Sequence, residues 1–282
     1  MSKYKNFETA WCPGCGNFPI LAALTEVLEN SGKQPHEIML VGGIGQAAKL
    51  NQYVNANGFS GLHGRALPAA VAAKMVNEKL TVIVNTGDGD SYGEGGNHFL
   101  HNIRRNVDIM HIVHDNQIYG LTKGQVSPTT NACDCCPEPG SFCNENMPLN
   151  PLLLAITAGA TFVARSFSGD KEHMMKMMQA AIEHKGYSLL DILQPCVSFN
   201  KVNTYTYYKE RVYILGEDYD PRDKMAAIEK TMQFDGRLAL GIIYREERKD
   251  FQAKRKNIYD GTPIIDKKFD LAKIEQLLET MV

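Results

Sequence analysis

The chain has 282 residues, a formal net charge of −2 and 44% hydrophobic residues. These values are typical of a soluble globular protein with a large core, and the lack of a basic block argues against nucleic acid as the main partner. No apolar run reaches the ~18 residues of a membrane span, and the first six residues lack the apolar core of a signal peptide. We therefore predict a cytoplasmic protein that has no membrane partner.

The apolar pattern of the first part of the chain predicts alternating helices and strands. In chain order it predicts a helix at about 18–30, a strand at 38–41, a helix at 66–77, a strand at 81–86, a helix at 96–105 and a strand at 107–115. The run at 81–86 has a continuous apolar centre, which is typical of a strand that is buried on both faces. The last three elements predict a right-handed βαβ unit with parallel strands.

The rest of the chain continues this pattern and then changes character. Strands are predicted at 161–165 and 189–193, with a helix at 171–184 between them. Beyond residue 200, tyrosines alternate with charged residues before a final helix that ends at Met281. We predict an α/β fold with a mostly parallel sheet flanked by helices, formed by residues 1–199. Residues 200–282 are expected to form an extension that packs on this domain or on a partner subunit.

Two polar residues follow neighbouring predicted strands at the point where each strand ends. Asp88 lies in Gly87-Asp88-Gly89-Asp90, and Asn116 follows it by 28 residues. Open α/β sheets bind cofactors at the carboxyl ends of adjacent strands, and a carboxylate, an amide oxygen and a backbone carbonyl suit Mg²⁺. The glycines around Asp88 would let backbone N–H groups approach a diphosphate at a helix N-terminus. The competing interpretation is that Asp88 merely caps a helix, while Asp90 either orients the loop or is purely structural.

A second group of candidate residues is positively charged. Residues 38–77 contain no Asp or Glu but include Lys49, His63, Arg65 and Lys74 around turn glycines. Such a segment produces a local positive field that suits anionic ligands. A lone histidine is more often structural than catalytic, but within His63-Gly64-Arg65 we favour a functional role.

The seven cysteines predict a metal or redox site rather than a disulfide framework. Their number is odd, the chain is long, and Pro13-Gly14 between Cys12 and Cys15 suits a tight turn that aims both sulfurs at one point. The other cysteines are Cys133, Cys135, Cys136, Cys143 and Cys196. The group at 133–143 is compatible with a metal site of its own, zinc included, or with a redox-sensitive loop.

Six motifs occur in an order that is specific to one family. They are Trp11-Cys12-Pro13-Gly14-Cys15-Gly16, Gly43-Ile44-Gly45, His63-Gly64-Arg65, the segment from Gly87-Asp88-Gly89-Asp90 to Arg104-Arg105-Asn106, Gly120-Leu121-Thr122-Lys123-Gly124-Gln125 and Gln194-Pro195-Cys196. Together they resemble the β subunit of the 2-oxoacid:ferredoxin oxidoreductases over roughly residues 8–200. The Gly-Asp-Gly segment followed by Asn116 also resembles the thiamine diphosphate motif of the wider enzyme superfamily.

The resemblance implies a pyrophosphate-type thiamine diphosphate-binding fold in which Asp88, Asn116 and the backbone carbonyl of Ile118 hold Mg²⁺. The residues that it places at the cofactor are Gly45, His63, Gly87, Asp88, Gly89, Asp90, Asn116, Ile118, Gly120, Leu121 and Thr122. The residues to which it assigns catalytic or substrate-binding roles are Lys49, His63, Arg65 and Lys123. Lys49 and Lys123 would pair with the carboxylate of a 2-oxoacid; the alternative for Lys123 is a solvated surface lysine.

The resemblance also implies a [4Fe–4S] cluster that Cys12, Cys15 and Cys196 help to hold, because such clusters need thiolate ligands. The chain departs from the family here. A further family cysteine usually follows Gly-Ile-Gly, but Gly43-Ile44-Gly45 is followed by Gln46. Either one of the cysteines at 133–143 replaces it, or the cluster is altered, labile or absent.

The implied reaction is the oxidative decarboxylation of a 2-oxoacid with coenzyme A, which gives acyl-CoA, CO₂ and reduced ferredoxin. The implied partners are ferredoxin and an α subunit whose pyrimidine-binding domain supplies the activating carboxylate, so the β chain alone should be inactive. Pyruvate, 2-oxoglutarate and branched-chain acids are all candidates, and we favour 2-oxoglutarate because Lys49 and Lys123 provide charges for two carboxylates.

Two alternatives belong to other functional classes. The strand at 38–41 followed by a G-x-G-x-x-A segment resembles the dinucleotide fingerprint of an NAD-dependent dehydrogenase. That fingerprint needs an acidic residue about 20 positions further on, and none precedes Glu78. The other alternative is a non-catalytic scaffold subunit with the same fold. The presence of Asp88, Asn116 and the glycine-rich loop argues against it.

Overall fold

The computed structural model describes residues 2–4, 7–132, 144–232, 236–268 and 270–281. Its centre is an eight-stranded sheet with the strand order β2-β1-β3-β4-β6-β5-β8-β7. The strands are β1 (Ile38–Gly42), β2 (Asn57–Ser60), β3 (Thr81–Gly87), β4 (Ile109–Asp115), β5 (Phe162–Phe167), β6 (Tyr187–Leu193), β7 (Val212–Ile214) and β8 (Leu238–Arg245). All neighbouring strands are parallel except β5 and β8, which are antiparallel.

Helices cover both faces of this sheet. They are α1 (Asn17–Asn30), α2 (Ala66–Val76), α3 (Gly96–Arg105), α4 (Pro151–Thr157), α5 (Lys171–Glu183), α6 (Tyr205–Arg211), α7 (Lys224–Met232) and α8 (Leu271–Glu279). The apolar sides of α1 and α5 pack on one face, and those of α2, α3, α4 and α7 pack on the other. The predicted α/β class with a mostly parallel, helix-flanked sheet is therefore confirmed.

The central strands are buried on both faces, which explains their continuous apolar sequence. Successive side chains of a strand point to opposite faces. Val82 and Val84 of β3 accordingly join the core beneath α2 and α3, whereas Ile83 joins the core beneath α1 and α5. Every residue of β4 is buried. The predicted strand at 107–115 begins two residues later than expected, at Ile109.

The segment beyond residue 200 contributes to the same sheet. β8 pairs with β5 and β7 pairs with β8, so this segment provides two of the eight strands. Farther along the chain, the backbone N–H of Phe251 donates to the carbonyl of Asn106 at 2.9 Å. The last helix, α8, has no buried residue. Among the described residues, none of the helices has both the length and the apolar character that a bilayer span requires.

Candidate active site

Asp88 and Asn116 lie at the neighbouring ends of β3 and β4. The strand register pairs Gly87 with His114. Asp88 follows Gly87 directly and Asn116 lies two residues after His114, so both predicted metal ligands are at the carboxyl edge of the sheet. After β3 the chain enters a π-helical turn, Gly89–Glu94, before α3 begins. After β4 the Asn116 side-chain oxygen accepts a hydrogen bond from the backbone N–H of Ile118 at 3.0 Å, which closes a tight turn. The structure thus places Asp88 and Asn116 at the ends of two strands that pair with each other, as the sequence predicted.

Asp88 is a buried carboxyl group, 1% exposed. Its Oδ2 accepts hydrogen bonds from the hydroxyls of Ser127, at 2.5 Å, and Thr129, at 2.6 Å. Burial raises the pKa of Asp88 to about 6, although the two hydroxyls favour the ionised form. A hard cation such as Mg²⁺ would stabilise the charge that burial disfavours, so this donor fits the predicted ion.

Further buried acids lie behind Asp88. The Thr129 hydroxyl is also 3.0 Å from Asp115 Oδ1, but a hydroxyl has only one proton to donate. If Asp115 is protonated, it can donate to the Thr129 hydroxyl while that hydroxyl donates to Asp88. Burial raises the pKa of Asp115, and the charges of Asp191 and Asp88 raise it further. Asp191 in turn accepts hydrogen bonds from Tyr92 Oη at 2.9 Å and from Arg165 Nε at 3.2 Å.

Ser127 and Thr129 were not among the site residues predicted from the sequence. The only available signal was the run of hydroxyl residues in Ser127-Pro128-Thr129-Thr130 after the glycine-rich loop. Their contact with Asp88 spans 39 and 41 residues. Neither residue type nor local spacing predicts a contact at that separation.

Gly89 and Gly93 make room for an aromatic side chain. A Cβ atom at Gly89 would lie 2.3 Å from the ring of Tyr119, and one at Gly93 would lie 2.7 Å from its hydroxyl. That hydroxyl donates to the Glu94 carboxylate at 3.2 Å. Tyr119 therefore provides a structural reason for these two glycines that sequence analysis missed. Their approach to a diphosphate stays a prediction.

Asp90 connects three loops at this edge. It is 3% exposed, and its Oδ1 accepts a hydrogen bond from the backbone N–H of Gly64 at 2.7 Å. The backbone N–H of Ile44 also donates to it, but burial outweighs both donors and raises the pKa of Asp90 to about 6. A Cβ atom on Gly43 would lie 2.0 Å from Asp90 Oδ2. Asp90 thus fixes the loop after β1 and the His63-Gly64-Arg65 loop relative to β3.

The positively charged candidates in segment 38–77 differ in burial. Lys49 is half-buried in the short 3₁₀ turn Ala48–Gln52, and Gly45 has a φ of +127° in the loop before it. His63 and Arg65 are exposed on the two sides of buried Gly64. Both residues are near Asp90 because Gly64, which lies between them, donates its backbone N–H to the Asp90 carboxylate. Their catalytic roles stay predictions.

The loop from Gly120 to Gln125 is closed by backbone hydrogen bonds. The N–H of Tyr119 donates to Gln125 at 2.9 Å, and the N–H of Gly124 donates to Tyr119 at 2.9 Å. Lys123 is exposed and has a φ of +78°, which is uncommon for a residue other than glycine. The hydroxyl of Thr122 donates to Gln125 Oε1 at 2.6 Å, so its proton is used inside the loop. Leu121 is 41% exposed.

Cys196 lies near Cys12 and Cys15 although about 180 residues separate it from them. The Cys15 N–H donates to the Cys12 carbonyl at 3.0 Å, which forms the predicted tight turn. Gln194, two residues before Cys196, donates through Nε2 to Cys15 Sγ at 3.5 Å. Burial raises the pKa of the Cys15 thiol, and the nearby Cys196 and Cys12 raise it further.

These three thiols do not form a single-ion site. Within the described ranges, no three His, Cys, Asp or Glu side chains converge closely enough to hold one metal ion. A four-iron cluster is larger and needs only one thiolate at each iron, so the donor set Cys12, Cys15 and Cys196 fits three of its irons. Cys133, Cys135, Cys136 and Cys143 lie outside the described residues.

Comparisons with known proteins agree with this geometry. Residues 41–192 match the family described as the C-terminal TPP binding domain of thiamine pyrophosphate enzymes. Residues 196–260 match the C-terminal part of the pyruvate ferredoxin oxidoreductase beta subunit. The 2-oxoacid:ferredoxin oxidoreductase subunit beta of Saccharolobus solfataricus is 45% identical over 253 residues, which cover 84% of this chain and 82% of that protein.

The chain belongs to the 2-oxoacid:ferredoxin oxidoreductase β-subunit family. This confirms the resemblance that the ordered motifs predicted. The 2-oxoglutarate synthase subunit KorB of Archaeoglobus fulgidus is also similar, at 31% identity over 87% of this chain and 88% of that protein. The NAD-dependent dehydrogenase and non-catalytic scaffold alternatives are wrong, because the family is one of thiamine pyrophosphate-binding oxidoreductases.

A solved member of the same class shares the whole fold. The 2-oxoglutarate:ferredoxin oxidoreductase from Magnetococcus marinus, whose structure has 2-oxoglutarate, coenzyme A and succinyl-CoA bound, matches with a TM-score of 0.90 at 33% identity. The match covers 98% of this chain and 96% of that chain. In its described residues, this β subunit therefore has the architecture of a 2-oxoacid:ferredoxin oxidoreductase subunit.

Proposed function

We propose that this β subunit binds thiamine diphosphate and Mg²⁺ at the carboxyl ends of β3 and β4. With an α subunit it would convert a 2-oxoacid and coenzyme A into acyl-CoA and CO₂ while reducing ferredoxin. The observation that carries this proposal is the buried Asp88 carboxyl group beside Asn116 at that edge. Asp88, Asn116 and the carbonyl of Ile118 would hold the ion. Bound there, thiamine diphosphate supplies an electron sink for decarboxylation.

The surrounding residues would bind and orient the anionic groups. Lys49 and Lys123 would pair with substrate carboxylates, and His63 and Arg65 would lie near the cofactor. In support, segment 38–77 contains no acidic residue, and the contacts of Asp90 hold part of it against β3. The carboxylate that activates the aminopyrimidine ring would come from the α subunit, so the isolated β chain should have no turnover.

We propose 2-oxoglutarate as the substrate rather than pyruvate or a branched-chain acid. The printed names of two similar proteins, a 2-oxoglutarate synthase subunit and a solved 2-oxoglutarate:ferredoxin oxidoreductase, support this choice. Lys49 and Lys123 offer one positive charge for each of its two carboxylates. Electrons would leave one at a time through an iron–sulfur cluster at Cys12, Cys15 and Cys196. The predicted cytoplasmic location stays a prediction.

The metal site is tested by Asp88→Asn in the complex with the α subunit. Calorimetry should show Mg²⁺-dependent thiamine diphosphate binding to the wild type and its loss in Asp88→Asn, because the amide cannot supply the ligand charge. Asp218→Asn, an exposed acid in the loop after β7, is the control and should bind as the wild type does. Equal binding by Asp88→Asn and the wild type would contradict the proposed site.

The reaction is tested by following reduction of ferredoxin with each 2-oxoacid and coenzyme A. The complex should turn over 2-oxoglutarate with a higher kcat/KM than pyruvate or 2-oxoisovalerate, and Lys123→Ala should reduce that preference. The single chain with thiamine diphosphate, Mg²⁺ and all substrates should be inactive. Turnover by the single chain would refute the requirement for the α subunit.

A further inference from the structure

Gln46 is held beside the cysteine turn by Trp11. The indole N–H of Trp11, the residue before Cys12, donates to the backbone carbonyl of Gln46 at 2.8 Å. The Trp11 ring is 7% exposed and packs edge-on against Phe18 and Tyr53, with centroid separations of 5.5 and 4.9 Å. Trp11 is therefore fixed in place, and it holds the backbone carbonyl of Gln46 beside the residue that precedes Cys12.

The side-chain oxygen of Gln46 is buried and has no hydrogen-bond partner among the described residues. A buried polar atom without a partner has lost its hydrogen bonds to water without replacing them, so such an atom needs an explanation. Gln194 shows a related arrangement next to Cys15. Its Nε2 donates to Cys15, while its Oε1 is buried without a partner in the described part of the chain.

We propose that Gln46, rather than one of the cysteines at 133–143, occupies the fourth corner of the iron–sulfur cluster, so that three thiolates hold the cluster and one iron has no thiolate ligand. This inference rests on the proposed cluster at Cys12, Cys15 and Cys196. Thiolates are the soft ligands that iron–sulfur clusters prefer, whereas an amide oxygen is hard and uncharged. The iron next to Gln46 is thus bound by the inorganic sulfides and by an exchangeable oxygen ligand, the amide or a water molecule.

This ligand set makes one iron selectively removable. One-electron oxidation by ferricyanide converts [4Fe–4S]²⁺ into [3Fe–4S]⁺, Fe²⁺ and one electron, and ferricyanide takes that electron to become ferrocyanide. EDTA then binds the released Fe²⁺. The three thiolates keep the remaining [3Fe–4S] core on the protein. Adding Fe²⁺ and a reductant restores the four-iron form.

The test compares the wild type with Gln46→Cys in the anaerobically purified complex with the α subunit. Ferricyanide and EDTA should remove one of the four irons at this site in the wild type and produce the EPR signal of an oxidised three-iron cluster. Gln46→Cys supplies the missing thiolate and should retain all four irons. Gln52→Cys, which adds a cysteine at an exposed position of the same turn, should behave like the wild type.

A second measurement does not depend on the folding of Gln46→Cys. The oxidised wild type, treated with ⁵⁷Fe²⁺ and a reductant, should incorporate one ⁵⁷Fe in each cluster at this site, seen as a single iron environment by Mössbauer spectroscopy. Resistance of the wild type equal to that of Gln46→Cys, or uniform labelling of all four irons, would overturn the inference and leave the cluster in place. If Cys12→Ala loses no iron from this subunit, the proposed cluster itself fails.

Discussion

At the scale of single residues, the space left by neighbouring atoms determines which glycines near the carboxyl edge of the sheet could carry a side chain. Gly43 is the clearest example, since its missing side chain is replaced by the carboxylate of Asp90. Gly96 differs because a Cβ atom there would meet nothing within 4 Å. Packing thus excludes a side chain at Gly43 but not at Gly96, and alanine at each position tests this difference.

We expect Gly43→Ala to lower the free energy of unfolding by about 1–3 kcal/mol, because the new methyl group displaces the Asp90 carboxylate from its buried position. Gly96→Ala should leave this free energy unchanged or raise it by up to about 1 kcal/mol, since alanine favours the helix that begins there. Denaturant unfolding of the cofactor-free chain measures both. Equal stability of the two variants would contradict the packing of Asp90 against Gly43.

At the scale of elements, the middle strands hold polar groups that burial keeps in one protonation state. His111 of β4 is fully buried, with Nε2 2.8 Å from the hydroxyl of Thr86 on β3 and Nδ1 2.7 Å from the hydroxyl of Tyr187 on β6. Burial lowers the pKa of His111 from 6.5 to about 3. The ring is therefore neutral at pH 7 and cross-links three adjacent strands.

This depressed pKa has a defined effect on stability. As the pH falls below 6.5, the unfolded chain takes up the proton while the folded chain does not, so His111 removes stability by about 1.4 kcal/mol for each pH unit until about pH 3. His111→Asn should lose this component. Between pH 6.5 and 4.5, denaturant unfolding should show a shallower loss of stability for this variant than for the wild type. The exposed His36→Asn serves as control and should keep the wild-type slope.

The β5 and β6 strands carry a buried ion pair between Arg165 and Asp191, which are 5% and 0% exposed. Arg165→Met should cost about 3–5 kcal/mol of unfolding free energy, because it leaves the Asp191 charge buried without its cation. The double variant Arg165→Met with Asp191→Asn should recover part of that loss. Arg222→Met removes an exposed pair with Asp220 and should leave the stability close to that of the wild type, because solvent screens this pair. Similar losses from Arg165→Met and Arg222→Met would contradict the role of burial.

At the scale of the whole molecule, the chain beyond residue 200 has two different parts. β8 pairs with β5 and buries Leu240 and Ile243, at 2% and 1% exposure. α8 buries nothing, and its Leu271 and Leu277 are 72% and 58% exposed. The first part completes the sheet, whereas the second adds no core.

Truncation distinguishes these two parts. A chain that ends at residue 199 should aggregate, because it exposes the edge and the apolar face of β5. A chain that ends at residue 268 should remain monodisperse, with an unfolding free energy within about 1 kcal/mol of the full chain, since α8 has no buried residue. Size-exclusion chromatography and denaturant unfolding measure both. A well-folded chain of 199 residues would show that β8 is dispensable.

The sequence alone was enough to predict the α/β class, the position of most strands and helices, and the family. Apolar periodicity reports burial on one or both faces of an element, which explains why the run around Ile83 predicted a central strand. Asp88 and Asn116 could be paired because two parallel strands joined by one helix end at the same edge of a sheet. Apolar periodicity is local, and the spacing of Asp88 and Asn116 depends on a single crossover, so both can be recognised from the sequence.

Only the tertiary structure showed which residues, distant in the sequence, contact the residues at that edge. Thr129 reaches Asp88 across 41 residues, Tyr119 fills the space left by Gly89, and Trp11 holds the backbone carbonyl of Gln46. Hydrogen bonds and packing depend on distances of a few ångströms between atoms, and the order of residues in a chain does not contain those distances. They arise only when the sheet and its helices have brought separate loops together.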